Sequence, residues 1–410
     1  MAVGTLKANP SQKPAVTMYS ILFAISFVHM LNDSMQAVIP AIFPILERSM
    51  GLSFTQLGWI AFTLNITSSV MQPVVGWYTD KSTSPYLMPV GMGASLIGML
   101  GIAYADSFTY IILSVIGIGL GSAAFHPEGS RVAYMAAGNR RGLAQSIYQV
   151  GGNTGTSLAP IMTALVFVPL GQFGAIWFTS FAAIAIFVLL YISGWYSKQL
   201  VNFPRVTKTT HKKNVPHTRK KKVLFALGVL VFLVFARSWY FSGIGNYYQF
   251  YLIEDYGLSI RQAQFYIFVY MGAGVLGTFL GGPLADRLGK RNMIFWSLAG
   301  TAPLALILPH VGLFMVIPLF FIIGFILNTS FSVTVVYAQE LMPGRIGMVS
   351  GLIVGLAFGM GAIGSVLLGK MADVTSISFT MLFVSFLPLL GLFTMLLPKD
   401  ETLEKWSSES

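Results

Sequence analysis

The chain contains no cysteine, so disulfide bonds and thiolate metal sites are excluded. It is also poor in charge, since only 10% of its 410 residues are charged, whereas a soluble domain carries about 25%. Hydrophobic residues make up 55% of the sequence, and the mean hydropathy is +0.72. Because these residues form continuous runs rather than alternating patterns, the sequence predicts membrane-spanning helices rather than a membrane barrel.

The apolar runs accommodate twelve spans of roughly 20 residues each. The predicted spans are 19–46, 54–79, 86–105, 108–136, 141–169, 173–196, 223–253, 262–286, 292–310, 313–338, 345–371 and 377–398. A basic, hydrophilic stretch at 197–222 reads as a flexible linker between an N-terminal half, 19–196, and a C-terminal half, 223–398. Tails at 1–18 and 399–410 complete an all-α membrane protein of two six-helix halves.

The net charge of +11 would by itself suggest a nucleic-acid partner, but the positions of the basic residues argue against one. They concentrate in the tails and in every second connection between spans, for example at Lys81, Arg140 and Arg345. This distribution is typical of cytoplasmic loops, so we expect both termini in the cytoplasm. Basic segments beside anionic lipid require no nucleic acid, and the expected partner is the lipid bilayer.

Two segments repeat between the halves. The phrase GGPLADRLGKR, Gly281–Arg291, has a weaker copy at Gly76–Lys81, and their aspartates Asp286 and Asp80 lie 206 residues apart. Arg141–Gly155 likewise resembles Arg345–Gly359, at an offset of 204 residues. Two membrane halves built on one plan indicate a transporter, because repeated halves that rock about a central site produce alternating access.

Gly281–Arg291 closely resembles the signature loop of the major facilitator superfamily, and Gly119–Pro127 resembles the fourth span of that family. The arginine that many members carry before this glycine run is absent, and Gly151–Pro160 lacks the Gly-Pro pair of the antiporter motif. A closer resemblance is to the fosmidomycin resistance proteins, a bacterial branch of drug-efflux transporters. It rests on His29–Asp33, Phe125–Glu128, Gly142–Ser146 and Tyr337–Gly351.

The resemblance implies the major facilitator fold, a monomer in the bacterial cytoplasmic membrane, and no bound cofactor. It also implies drug/proton antiport, in which protons drive the export of a small anionic compound such as fosmidomycin. The residue types alone leave the direction open, so a proton symporter that imports a small organic anion is the alternative.

Intramembrane carboxylates are the candidates for proton coupling. A charge at the bilayer centre costs about 2.5–3.5 kcal/mol, so such residues are rare and usually functional. His29 and Asp33 lie one turn apart in the first span, and Glu128 follows His126 in the fourth. A permanently paired structural carboxylate is the alternative for Asp33, and the same holds for Glu128 if it pairs with Arg131.

Cations and polar side chains within the spans are the candidates for substrate binding. Arg237 stands without a nearby acidic residue in the seventh span, and Arg131 is the second cation suited to gripping an anion. Gln145, Gln149 and Asn153 recur every four residues in the fifth span, which suits a water-filled path or, alternatively, hydrogen bonds between helices. The remaining candidates are Asn32, Gln36, Tyr240 and Tyr247.

The family resemblance further implies conformational roles for Asp80 and Asp286, which would contact basic residues and favour the outward-open state. A carboxylate is stabilised at a helix N-terminus, which fits that role. The full set of candidate gating residues is Gly76, Asp80, Arg141, Gly282, Asp286, Arg287, Arg291, Glu340 and Arg345.

An enzyme is not expected, because the chain has neither cysteine nor a His-Glu-x-x-His run, and its five histidines lie apart in sequence. We therefore expect no metal centre. A receptor or scaffold remains the other alternative, although it leaves the intramembrane charges without a use.

Overall fold

The computed structural model describes residues 16–82, 84–138, 140–202, 217–342 and 346–408. The described residues fold into α-helices, with short π- and 3₁₀-helical segments between or beyond them. The helices are α1 Tyr19–Ala41, α2 Phe43–Met50, α3 Phe54–Lys81, α4 Leu87–Tyr104, α5 Phe108–Ala136, α6 Arg141–Met162, α7 Val168–Leu170, α8 Phe178–Asn202, α9 His217–Glu254, α10 Ile260–Leu288, α11 Lys290–Leu298, α12 Ala302–Ile307, α13 Leu313–Asn328, α14 Phe331–Leu341, α15 Ile346–Val374, α16 Ile377–Phe386 and α17 Asp400–Ser408.

Within the described residues, ten helical stretches are long and apolar enough to cross a membrane. One of them, Leu143–Leu200, contains two passes, because the chain turns at Gly171, where φ is +62°. Helix α3 is not among the ten, but its 28 residues have the length of a span despite polar residues such as Asn65. Counting both corrections gives twelve transmembrane helices and confirms the predicted all-α membrane fold.

The two halves pack on the same plan. In the N-terminal half, α3 packs on α5, and the equivalent pair α10 and α13 packs in the C-terminal half. Between the halves, α3 packs on α15 and α6 packs on α10, which are also equivalent pairs. The repeat seen in the sequence is therefore a repeat of helix packing.

Glycines bring α1 and α6 into close contact. A Cβ atom on Gly151 would overlap the carbonyl oxygen of Ser26, and one on Gly155 would overlap that of Met30. The glycines of the fifth span therefore allow tight helix packing, as small residues four apart predict.

Helical structure continues into both ends of the predicted linker, since α8 ends at Asn202 and α9 begins at His217. The central part of that linker, 203–216, lies outside the described residues, as does most of the N-terminal tail. The C-terminal tail contains α17, whose Leu403 is buried against the bundle.

Candidate functional site

Two histidines hold one carboxylate at the centre of the N-terminal half. His29 Nε2 on α1 lies 3.2 Å from Asp33 Oδ2, and His126 Nε2 on α5 lies 3.3 Å from Asp33 Oδ1. The His29 side chain is 2% exposed, whereas those of Asp33 and His126 are 17% and 24% exposed. The three residues form the His–Asp–His cluster, which is buried on one side and open to solvent on the other.

The backbone fixes which ring nitrogen of His29 carries hydrogen. His29 Nδ1 lies 2.8 Å from the Tyr148 carbonyl oxygen. A carbonyl oxygen only accepts, so His29 Nδ1 must donate. In a neutral His29 the Nε2 atom would then present a lone pair to the carboxylate, and the contact between Nε2 and Asp33 becomes attractive only when a proton occupies it. His126 Nδ1 lies 3.0 Å from both the carbonyl oxygen and the hydroxyl oxygen of Ser122, and the hydroxyl can donate to it, so a neutral His126 can donate from Nε2 to Asp33.

Neighbouring helices shape the space around the cluster. The ring of Tyr148 stacks on His29, with centroids 4.1 Å apart. A Cβ atom on Gly152 would lie 2.5 Å from His29 Nε2 and 2.6 Å from Asp33 Oδ2, so only glycine leaves room for this pair. Sequence reasoning did not place Gly152 or Tyr148 at this cluster, because their contacts with His29 cross from α6 to α1.

Amide groups complete the hydrogen bonding of Asp33. Asn32 Nδ2 donates to Asp33 Oδ1 at 2.9 Å, and Gln36 Nε2 donates to the same oxygen at 3.4 Å. Both residues were predicted as substrate ligands, and the structure places both beside the carboxylate. In the described part of the chain, His29, Asp33 and His126 also form a group whose ligand atoms lie within 4.8 Å of one another. Two imidazoles and a carboxylate are donor types that suit a transition-metal ion.

Glu128 belongs to a different network. Its Oε1 atom lies 3.2 Å from Arg131 Nη1, and its Oε2 atom accepts a hydrogen bond of 2.8 Å from the Tyr196 hydroxyl on α8. Arg131 Nη1 also donates to the carbonyl oxygen of Thr79, one residue before Asp80 in α3. Glu128 is fully buried. The pair predicted from the i,i+3 spacing therefore exists, and it ties α5 to α3 and α8.

Arg237 in α9 contacts neutral groups. Its Nε donates to the Leu327 carbonyl oxygen at 3.3 Å and its Nη2 to Asn328 Oδ1 at 3.1 Å, while the guanidinium lies 5.0 Å from the centre of the Phe331 ring. Within the described ranges, no carboxylate lies at ion-pair distance from it. It does not join the Asp33 cluster or the Glu128 network in this conformation.

The two tyrosines predicted as substrate ligands are both fully buried. The Tyr247 hydroxyl donates to the carbonyl oxygens of Ser365, at 2.5 Å, and Phe54, at 3.3 Å, so it serves helix contacts. The Tyr240 hydroxyl has no hydrogen-bond partner among the described residues.

The polar stripe of α6 lies along the helix as its four-residue spacing predicts. Gln145 and Gln149 are exposed and Asn153 is half-buried. Gln149 Nε2 donates to Asn153 Oδ1 at 3.4 Å, and Gln145 Oε1 accepts from Ser130 at 3.5 Å. The stripe contacts only its own half through these bonds, and it leads from the linker end of α6 toward Gly152.

Hydrogen bonds join the two halves at the end farthest from the linker. The carboxylate of Asp373 in α15 accepts from the backbone amides of Phe54 and Thr55, at 2.9 and 2.8 Å, and from the Thr55 hydroxyl. These are the first two amides of α3, which lack partners within the helix. One half therefore caps a helix of the other.

A second set of contacts at this end uses a break between α1 and α2. Pro44 has no N–H, so the carbonyl oxygen of Pro40 lacks its helical donor. Gln249 Nε2 donates to Pro40 O at 2.8 Å, and Gln264 Nε2 donates to Ala41 O at 2.9 Å. Asp373, Gln249 and Gln264, with the backbone groups they bind, form the inter-half latch.

The candidate gating residues are only partly visible. The side chains of Asp80 and Arg141, and residue Arg345, lie outside the described part of the chain. Gly76 is half-buried and has open space around its Cα, while Gly282, Asp286 and Arg287 are exposed at the linker end.

Two contacts involve the signature loop Gly281–Arg291. Lys290 Nζ lies 2.8 Å from Glu340 Oε1, so the candidate gating residue Glu340 meets this loop. Arg291 donates to the carbonyl oxygens of Thr394, at 3.3 Å, and Met395, at 2.5 Å. It therefore fastens the loop to the last transmembrane helix.

A family model described as "Major Facilitator Superfamily" matches residues 22–363. The chain belongs to the major facilitator superfamily. It is 59% identical, over 98% of each chain, to a transporter of the same superfamily from Bacillus subtilis (strain 168). It is 46% identical, over 96% of each chain, to the fosmidomycin resistance protein of Escherichia coli (strain K12). Both the superfamily and the nearer branch predicted from the sequence are confirmed.

Solved structures agree on the fold. A bacterial homologue of the human lysosomal transporter Spinster, in an inward-facing and unoccupied conformation, superposes with a TM-score of 0.71 at 15% identity. The match covers 94% of this chain and 95% of the other. This chain is therefore a multi-pass membrane transporter, and its family and fold are not those of enzymes.

Proposed function

We propose that this transporter exports small anionic compounds, fosmidomycin among them, in exchange for protons. The observation that carries the proposal is the His–Asp–His cluster, where both Nε2 atoms face one carboxylate and the contact of His29 requires a proton to become attractive. A proton held between His29 and Asp33 joins the two side chains, and its loss leaves two lone pairs facing each other. The cluster is therefore a proton-binding site whose occupancy can be coupled to the conformation of the transporter.

Alternating access would expose the cluster to each side of the membrane in turn. In the observed state the inter-half latch closes the end farthest from the linker, and the exposed glutamines of α6 lead toward the cluster from the linker end. With both termini in the cytoplasm and the protein a monomer in the cytoplasmic membrane, this is an inward-facing state. Protons would then leave toward the cytoplasm, while the anionic substrate enters from it.

Similarity to the fosmidomycin resistance protein favours export over import. Arg237 supports an anionic substrate, because a cation inside the bundle that has no carboxylate partner among the described residues attracts negative charge. The direction of coupling is the part that an experiment must decide, since a symporter would use the same residues.

The test uses the purified full-length protein in liposomes with an imposed pH gradient and a pH-sensitive dye inside. Addition of fosmidomycin should produce proton movement opposite to drug movement. Proton and drug movement in the same direction would replace antiport by symport. Drug movement that is independent of the gradient would refute proton coupling.

A further inference from the structure

Arg237 is a cation that has no carboxylate partner in the described part of the chain. Among the described residues its guanidinium meets a carbonyl oxygen, an amide oxygen and the face of Phe331. A guanidinium stays protonated inside a protein, and intramembrane arginines are usually paired with acidic groups. An anion is therefore the group that this position lacks.

Two tyrosines belong to the helix segments that surround Arg237. Tyr240 lies one turn further along α9, and the ring centre of Tyr270 on α10 lies 6.1 Å from that of Phe241, the residue after Tyr240. Both tyrosines are fully buried, and both hydroxyls lack a hydrogen-bond partner in the described structure. Buried hydroxyl groups normally have partners, so two unpartnered ones beside an uncompensated cation mark a site prepared for an acceptor.

Packing holds this arrangement in place. Asn328 uses its oxygen for Arg237 and its nitrogen for the Gly324 carbonyl oxygen, at 2.9 Å. Gly274, one turn from Tyr270 on α10, leaves room for that amide, because a Cβ atom there would lie 2.6 Å from Asn328 Nδ2. Helices α9, α10 and α13 therefore fix the guanidinium and bring the Tyr270 face of α10 against it.

We infer that Arg237, Tyr240 and Tyr270 form the binding site for a tetrahedral oxyanion head group, a phosphonate or phosphate, of the transported compound. The inference rests on the transport function proposed above. A guanidinium and two hydroxyls on two helices offer donors from more than one direction, which suits the three oxygens of a phosphonate better than the two of a carboxylate. Arg237 is partly exposed and therefore accessible to an anion, whereas both hydroxyls are buried in this conformation.

This site lies in the C-terminal half, whereas the His–Asp–His cluster lies in the N-terminal half. The proton and the anion therefore have separate binding sites. Binding of the anion can therefore be measured without any proton gradient.

The experiment is calorimetric titration of the purified full-length protein in detergent with fosmidomycin, methylphosphonate and inorganic phosphate. We expect Arg237→Ala to lower fosmidomycin affinity about 10- to 100-fold, as loss of a charge-assisted hydrogen bond predicts. Arg237→Lys keeps the charge but loses the paired N–H donors of the guanidinium. Its fosmidomycin affinity should lie between those of Arg237→Ala and the wild type. Tyr240→Phe and Tyr270→Phe should each lower affinity about threefold to tenfold.

Tyr251→Phe is the matched control, because Tyr251 lies on α9, is buried, and already donates to Pro309 O at 3.0 Å. It should bind fosmidomycin as the wild type does. Wild-type affinity in folded Arg237→Ala and Arg237→Lys, or equal losses in Tyr251→Phe and Tyr270→Phe, would overturn the site. So would the absence of binding of all three probes to the wild type, even if proton-coupled transport of another anion persisted. Binding through Arg237 without proton movement in liposomes would instead overturn the coupling and leave the site standing.

Discussion

The two halves share one packing plan and distribute charge in opposite ways. The first helix of the N-terminal half, α1, places Asp33 between two imidazoles, while the first helix of the C-terminal half, α9, places Arg237 among neutral groups. The repeat therefore preserves helix positions and leaves the chemistry of each half free to differ. One half can handle a cation, the proton, while the other handles an anion.

The largest effect is expected when the carboxylate of the N-terminal half is removed. Asp33→Asn removes the carboxylate that the two imidazoles share, so proton-coupled transport should fall to background while fosmidomycin binding in detergent stays measurable. Proton flux in liposomes checks it. Asp106→Asn, an exposed carboxylate between α4 and α5, is the control and should transport normally. Unchanged flux in Asp33→Asn would remove Asp33 from the mechanism.

Gly152→Ala tests whether the geometry of the cluster matters beyond its charges. The new methyl group would overlap His29 and Asp33, so we expect strongly reduced proton flux and a stability loss of about 1–3 kcal/mol. Flux and thermal unfolding should be measured together. Gly93→Ala in α4, where the added methyl group meets open space, should change neither. Normal flux in Gly152→Ala would show that the cluster tolerates rearrangement.

Asp373→Ala tests the contact between the halves. Losing an exposed charge-assisted contact should cost about 1 kcal/mol and shift the equilibrium toward opening of the latched end about fivefold. The natural chain has no cysteine, so maleimide labelling of Leu57→Cys, a buried position near the latch, reports the opening without background.

The control for the latch is Asp255→Ala. Asp255 is an exposed carboxylate at the same end that accepts only from Ser378 of its own half. It should leave the labelling rate of Leu57→Cys unchanged. Equal acceleration in both variants would mean that the carboxylate of Asp373 does not hold the halves together.

The smallest effect on coupling is expected at Glu128. Glu128→Gln breaks a buried pair, which should destabilise the protein by about 3 kcal/mol, but the folded fraction should still exchange protons. The double variant Glu128→Gln with Arg131→Gln also removes the guanidinium charge and should recover part of the stability. Loss of proton flux in well-folded Glu128→Gln would show that Glu128, rather than Asp33, carries the proton. The two networks would then no longer have distinct roles.

The sequence was sufficient for features that depend on one helix or on composition. Continuous apolar runs predicted the twelve spans, and spacings of four and three residues predicted the His29–Asp33 and Glu128–Arg131 contacts. His126 was a candidate, but its contact with Asp33 depends on how α5 is rotated against α1, which spacing within one helix does not contain. Tyr270 was missed for the same reason, because its link to Arg237 crosses from α10 to α9.

Proline placement was informative only after the fold was known. The predicted span 19–46 runs through Pro44 without a break, and the contact of the freed Pro40 carbonyl group with Gln249 needs the other half in place. Propensity rules describe the broken helix, whereas the partner of the freed groups is a matter of tertiary structure.

The inter-half latch has one consequence for how the transporter can vary. Apart from the Thr55 hydroxyl, which also donates to Asp373, each of its contacts joins a side chain of the C-terminal half to a main-chain group of the N-terminal half. Main-chain groups survive most substitutions, so variants at Phe54 and Ala41 in a saturation library should keep these hydrogen bonds. Variants at Asp373, Gln249 and Gln264 should lose them. The stability of the closed state can then be tuned genetically from one half alone.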